Sequence, residues 1–122
     1  MSESTLRIAA VSVDCQDHVE LAEFYAQLLG GEVMWTTATA AAVRSDHWVL
    51  IPQKVEGYQP PSWPGSSILH LDLNGDAEVD ELVAVALAAG ARRADHQPDP
   101  RWSVLLDPAG HPFCITPFSP QK

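Results

Sequence analysis

Positive charge is scarce in this chain. Lys and Arg number 7 against 16 Asp and Glu, a formal net charge of −9. Gripping a phosphate backbone needs a basic face, so no nucleic-acid partner is expected. The acidity suits solubility and the attraction of a cationic small molecule. Cysteine is sparse too: Cys15 and Cys114 are the only two, and they form neither a disulfide framework nor a metal-type spacing. No apolar run approaches the ~20 residues that cross a bilayer, so no membrane partner is expected. The opening MSESTLR has no apolar secretory core. A cytoplasmic setting with reduced thiols is the expectation. A Gly-rich phosphate loop, a G-x-S-x-G elbow and an H-E-x-x-H pair are also missing, which sets aside the enzyme classes built on them.

What is present is an internal repeat. Residues 10–31 read AVSVDCQDHVELAEFYAQLLGG, and residues 70–91 read HLDLNGDAEVDELVAVALAAGA. Each is a short apolar strand, an acidic helix start, an apolar-striped helix and a glycine stop. Gly30 and Gly90 align the copies at an offset of 60 (90 − 30), which sets Ala10 against His70. A repeat of this kind largely decides a fold. The 122 residues suit one domain, 1–122.

The local pattern predicts a strand over 7–14, then a helix capped by Asp17 with Glu20 three residues on. Leu21, Phe24, Tyr25, Leu28 and Leu29 form its apolar stripe, and Gly30 ends it. Strands are expected over 32–37, 39–44 and 47–51. Residues 52–66, PQKVEGYQPPSWPGS, hold four of the ten prolines and read as a linker. A strand over Ile68–Leu73 follows, then a helix capped by Asp76, with Glu78, Asp80 and Glu81 near its positive end. Its stripe is Val79, Leu82, Val83, Ala86 and Leu87, and Gly90 ends it. Residues 91–94 are a further strand and 95–100 a loop. Residues 101–106 and 112–116 form a hairpin across Asp107-Pro108-Ala109-Gly110, the residue choice of a type I turn. The order is β-α-β-β-β, linker, β-α-β-β-β: an α+β fold with helices on one face of a mixed sheet.

Asp17, the Phe24-Tyr25 and Leu28-Leu29-Gly30 pair of segments, the His70-Leu71-Asp72-Leu73 strand and the run from Leu106 to Phe113 together resemble the vicinal oxygen chelate superfamily. That group includes glyoxalase I, extradiol dioxygenases, fosfomycin-modifying enzymes and bleomycin-binding resistance proteins. The resemblance covers essentially the whole chain and is nearest to glyoxalase-like proteins of undefined substrate. It implies two tandem βαβββ modules, about 5–51 and 67–118, curled into a cup with the helices outside. It also implies a homodimer. Metal-dependent members place ligands on the first and last strands of each module, with Glu typical on the last. Carried over residue by residue, those positions fall on Ala10, near Leu50, on His70 and on Cys114. Only His70 is a retained family ligand. Octahedral sites of that kind want carboxylates and imidazoles, so the expectation is no metal cofactor.

Strand alternation assigns the faces. Leu69, Leu71 and Leu73 should meet the helix, leaving His70 and Asp72 facing the cup. Val11 and Val13 match the leucines, leaving Ala10, Ser12 and Asp14 cup-facing. Phe113 and Ile115 take the helix side, Cys114 and Thr116 the cup side. His70 is then a polar anchor, or else a histidine satisfied by Asp72. Asp72 is a cation holder, or else a solvated strand-end acid. Cys114 lacks the nearby positive charge of a reactive thiol and reads as buried and inert. Trp35, Trp48 and Trp102 are candidates for an aromatic slot or for core filling. Trp63 is the one least explained by core packing; with Tyr58 it would form a lid or an interface. His47 and His96 read as solvated, and His111 as a turn residue.

Three functions follow. The leading one is a cup that binds a small organic molecule, cationic or aromatic, without metal, using His70, Asp72 and Cys114 with Trp35, Trp48, Trp63 and Trp102. The competing one is a lyase, isomerase or dioxygenase with a divergent metal site including His70. The third is an interaction module whose cup is filled by its own side chains.

Overall fold

The structure is a computed structural model, described here for residues 6–65 and 69–118. It divides into two compact units, Met1–Gly57 and Tyr58–Lys122. The expected strand start at Ile68 lies outside the described residues, as do residues 5 and 67, where the two predicted modules begin.

The first unit contains β1 (Val11–Cys15), α1 (His18–Leu29), β2 (Glu32–Thr36), β3 (Ala41–Ser45) and β4 (Trp48–Lys54). Asp17 caps α1 as predicted: its Oδ1 accepts from the amides of Val19 and Glu20 at 3.1 and 3.0 Å. Gly30 ends the helix with φ 62, a conformation that suits a residue without Cβ. Leu21, Phe24 and Tyr25 are buried, joined by Ala22 and His18. His18 Nε2 donates to the Thr37 carbonyl at 2.9 Å. The sheet order is β1-β4-β3-β2, with β1 parallel to β4 and the other pairs antiparallel. Ala22 of α1 packs on Ala41 and Val43, so odd-numbered residues of β3 face the helix.

The predicted linker begins too early. Residues 52–54 continue β4, and Pro52 is buried opposite Val13. It is tolerated because the β3–β4 ladder stops at Leu50 and resumes only as the Ala40–Gln53 bridge. Proline is accepted where a ladder bond is not required.

The second unit contains β5 (Leu71–Leu73), α2 (Val79–Ala89), β6 (Arg92–Arg93), β7 (Ser103–Leu106) and β8 (Pro112–Ile115). Its order, β5-β8-β7-β6, repeats the first unit's, again with the first strand parallel to the last. The repeat is thus structural, and the α+β class of two βαβββ modules is observed.

Three predicted details are corrected. Leu69 and His70 precede β5, and Leu69 is 83% exposed instead of facing the helix. The α2 cap is Glu78, whose side chain makes no capping bond, and not Asp76. The helix starts two residues later than the Asp76 cap implies, at Val79, and its buried residues are Val83 and Ala86. Leu87 is exposed, while Val83 and Ala86 are buried. Among the described residues, no helix is long and apolar enough to cross a membrane.

Candidate functional site

The predicted turn at 107–110 anchors one side of the candidate site. Asp107 is wholly buried, and its Oδ1 accepts from the amides of Ala109 and His111 at 2.9 and 3.0 Å. The Asp107 carbonyl accepts from Gly110 at 2.8 Å, closing the turn. The segment after Tyr58 lies across this turn. The Tyr58 hydroxyl donates to the Ala109 carbonyl at 2.8 Å, and His111 Nε2 sits 3.2 Å from the same oxygen. Because the carbonyl can only accept, the Tyr58 proton goes there and His111 Nε2 donates to Tyr58. Gly110 has φ 88, and a Cβ on it would lie 2.9 Å from Pro60 Cβ. Glycine is what lets the segment lie this close. Tyr58, expected with Trp63 in a lid or an interface, ties its segment to the turn.

The fastened segment delivers Trp63 to the sheet. Asp72 of β5, Cys114 of β8 and Val104 of β7 are register partners and therefore share a face. Ala94, Val104 and Cys114 form a buried cluster there, packed against Trp63, Trp102 and Leu106. No residue of α2 belongs to that cluster. The Trp63 indole N–H donates to the His96 carbonyl at 3.0 Å. Its ring meets His70 edge-on, with centroids 5.6 Å apart, and lies 6.2 Å from the His96 ring. Trp63 was the tryptophan least explained by packing, yet it covers this cluster. His96, exposed as expected, supplies its backbone carbonyl. Gln97 holds the loop in place: its amide donates to the Ala94 and Val104 carbonyls and its oxygen accepts from Val104, each at 2.8 Å.

At the edge of the indole lie three polar side chains. His70 Nδ1 is 3.7 Å from Asp72 Oδ1 and 4.0 Å from Cys114 Sγ. The three donor atoms all lie within 4.8 Å of one another. Desolvation, together with the Asp72 carboxylate beside it, pushes the Cys114 thiol up to about 11. The thiol is therefore protonated near neutrality and is not poised as a nucleophile. Asp72 and Cys114 also converge on the same ring nitrogen. A nucleophile–base–acid relay uses the two imidazole nitrogens separately, so this is not one.

The remaining tryptophans divide. Trp102 packs beside the Cys114 cluster and against Phe118, with the Arg101 guanidinium 5.3 Å from its ring. Asp99 holds Arg101 through bonds of 2.9 and 2.8 Å, which draws its own carboxyl down to about 2. In the first unit Trp35 pairs with Ala42, on the face away from α1, whereas Trp48 pairs with Ser45, whose hydroxyl donates to Leu29 of α1. Trp35 and Trp48 are thus on opposite faces and cannot form one slot. Register also moves the last-strand slot of module one. Val11 pairs with Leu50 as Leu71 pairs with Phe113, so the counterpart of Cys114 is Ile51, one residue beyond Leu50. His47 is exposed, as expected.

Alternation along the strands put His70, Asp72 and Cys114 on one face and left Trp63 to a lid or an interface. Sequence reasoning missed the seating of Trp63 by Tyr58, His96 and Gln97, for which the DHQPDP loop carries no local signal.

Comparison with known proteins adds the following. The family model described as a glyoxalase-like domain matches residues 10–116. No curated protein matches. A glyoxalase/bleomycin resistance protein/dioxygenase family enzyme from Burkholderia phytofirmans PsJN is similar at 24% identity and TM-score 0.68, over 88% of this chain and 94% of that one. A glyoxalase-related enzyme from Fulvimarina pelagi is similar at 23% identity and TM-score 0.66, over 89% and 86%. The fosfomycin resistance protein FosX from Listeria monocytogenes is similar at 12% identity and TM-score 0.73, over 97% and 98%. At these identities the structures share the fold alone.

Proposed function

The chain belongs to the glyoxalase-like domain family, and from that premise we propose that it binds a small organic molecule, without metal, on the Cys114 face of its second module. One observation carries this reading: His70, Asp72 and Cys114 converge beside the Trp63 ring, on a sheet face whose buried cluster is Ala94, Val104 and Cys114. An apolar wall with a few convergent polar groups is the usual make-up of a small-ligand site. Asp72 and the net charge of −9 favour a cationic aromatic ligand. A two-fold homodimer in the cytoplasm belongs to the same proposal.

The donor set argues against the family's hard-metal chemistry. It offers one imidazole, one carboxylate and one thiol, and the module-one positions Ala10 and Ile51 offer nothing. A second reading is favoured by the convergence of the donors within 4.8 Å: a thiophilic divalent ion such as zinc held by His70, Asp72 and Cys114. Such an ion would supply Lewis acidity, and lyase, isomerase or dioxygenase activity belongs only to that reading. His70 would then orient its imidazole toward Asp72 and Cys114, and Trp63 would shield one side from water.

The test is thermal-shift screening of chelator-treated protein against cationic aromatic compounds, since binding to the native state raises apparent stability. A shift that disappears in His70→Ala and Asp72→Asn is expected. Protein purified without chelator and carrying one metal per chain would overturn the metal-free reading in favour of the second.

A further inference from the structure

Resting on the reading of this face as a binding surface, we propose that the Trp63 indole is its resident occupant and that the ligand is a planar heteroaromatic with a ring N–H, which takes the indole's place. Trp63 belongs to no strand or helix. It reaches the face on a segment held at Tyr58, with Pro60 close against Gly110, and it packs on Ala94, Val104 and Cys114. Its contacts are those a bound ligand would make. The side chain packs on an apolar floor. The ring N–H donates to a loop carbonyl, that of His96. The ring and the His70 imidazole form a T-shaped pair with centroids 5.6 Å apart, and His70 and Asp72 are half-exposed.

A core tryptophan is ordinarily enclosed by apolar side chains. This one is half-buried, with imidazole rings at two of its sides. Every contact it makes can be reproduced by another planar N–H ring. Displacement would uncover Cys114 to the incoming molecule, beside His70 and Asp72, which already reach solvent. Affinity is then set by competition with the chain's own side chain, since a site open only part of the time binds in proportion to its open fraction.

The experiment is a titration of the full chain with indole, followed by 15N–1H NMR. Each of the four tryptophans gives one indole N–H signal, and loss of a signal in Trp63→Phe identifies that of Trp63. In the wild type, indole is expected to move the Trp63 signal toward that of a solvated indole and to shift the His70 ring signals, both saturating together. Trp63→Ala should bind indole about tenfold more tightly, or better, because no occupant competes. Trp63→Phe keeps a ring but lacks the donor to His96. It should bind more tightly than wild type by a smaller margin, and it serves if Trp63→Ala does not fold. Equal affinity in wild type and both variants overturns the proposal. So does binding by Trp63→Ala alone, which would make Trp63 a fixed core residue. A His70 shift with an unmoved Trp63 signal overturns the displacement but leaves the binding face standing.

Discussion

Replacing Asp107 by alanine should destabilise the protein by about 3–5 kcal/mol. The side chain is wholly buried and accepts two backbone N–H bonds through one oxygen, at 2.9 and 3.0 Å. A hydrogen bond to a charged group is worth about 1.5–3 kcal/mol net, and each amide left without an acceptor adds its own desolvation cost. Because Ala109 and His111 are only half-buried, water can recover part of the loss, which keeps the sum near the lower end. Asp107→Asn separates geometry from charge. Its amide oxygen can still accept both bonds, so the cost should fall to about 1–2 kcal/mol. For a chain of 122 residues, the alanine variant should lose about 12–20 °C in Tm, measured by calorimetry with chemical denaturation as a check. If Asp107→Ala lies within about 1 kcal/mol of wild type, the bonds contribute too little to hold the turn. If Asp107→Asn is as damaged as Asp107→Ala, the turn depends on the negative charge and the geometric argument is wrong.

Gly110→Ala must displace Pro60 and also strain a backbone at φ 88; it should cost about 1–3 kcal/mol and increase solvent exchange of the Trp63 indole N–H, as read by hydrogen exchange. Cys114 should resist iodoacetamide near pH 7 and react only as pH climbs toward about 11, with Asp72→Asn shifting the profile to lower pH, followed by mass spectrometry. The same elevation has a stability consequence: between about 9 and about 11 the unfolded thiol ionises first while the folded one keeps its proton, so stability falls with rising pH across that window, and Cys114→Ser should remove this slope. Asp17→Ala, which removes the α1 cap, should cost about 1 kcal/mol, whereas Glu78→Ser should gain about 0.5–1 kcal/mol by supplying the missing α2 cap, both measured by urea denaturation.

How much was legible from residues alone depended on the range of the interaction. Asp17 and Gly30 act on amides within a few positions, so the bounds of α1 could be read directly. The hairpin at Asp107–Gly110 was legible for the same reason. Pro52 misled, because its local veto on strands lapses where the neighbouring ladder lapses, and only the pairing with β3 reveals that. Trp48 misled through parity: one residue of register decides which face a side chain takes, and the partner strand sets it. The bond from Trp63 to His96 joins residues 33 apart through a side chain and a loop carbonyl. No periodicity or spacing encodes such a contact.

Comparing the modules separates what the fold needs from what it carries. The register pairs Val11 with Leu50 and Leu71 with Phe113, so the first strands match at an offset of 60 (71 − 11) and the last at 63 (113 − 50). His70, Asp72 and Cys114 then correspond to Ala10, Ser12 and Ile51. Both modules build four strands in the same order, with a helix of similar length between the first two. The first module does so with a methyl, a small hydroxyl and an aliphatic chain at the three positions. An imidazole, a carboxylate and a thiol are therefore not demanded by the architecture. Burial and proximity to a carboxylate even work against the ionised thiol. Groups that the fold does not require are better explained by what they contact than by what they support.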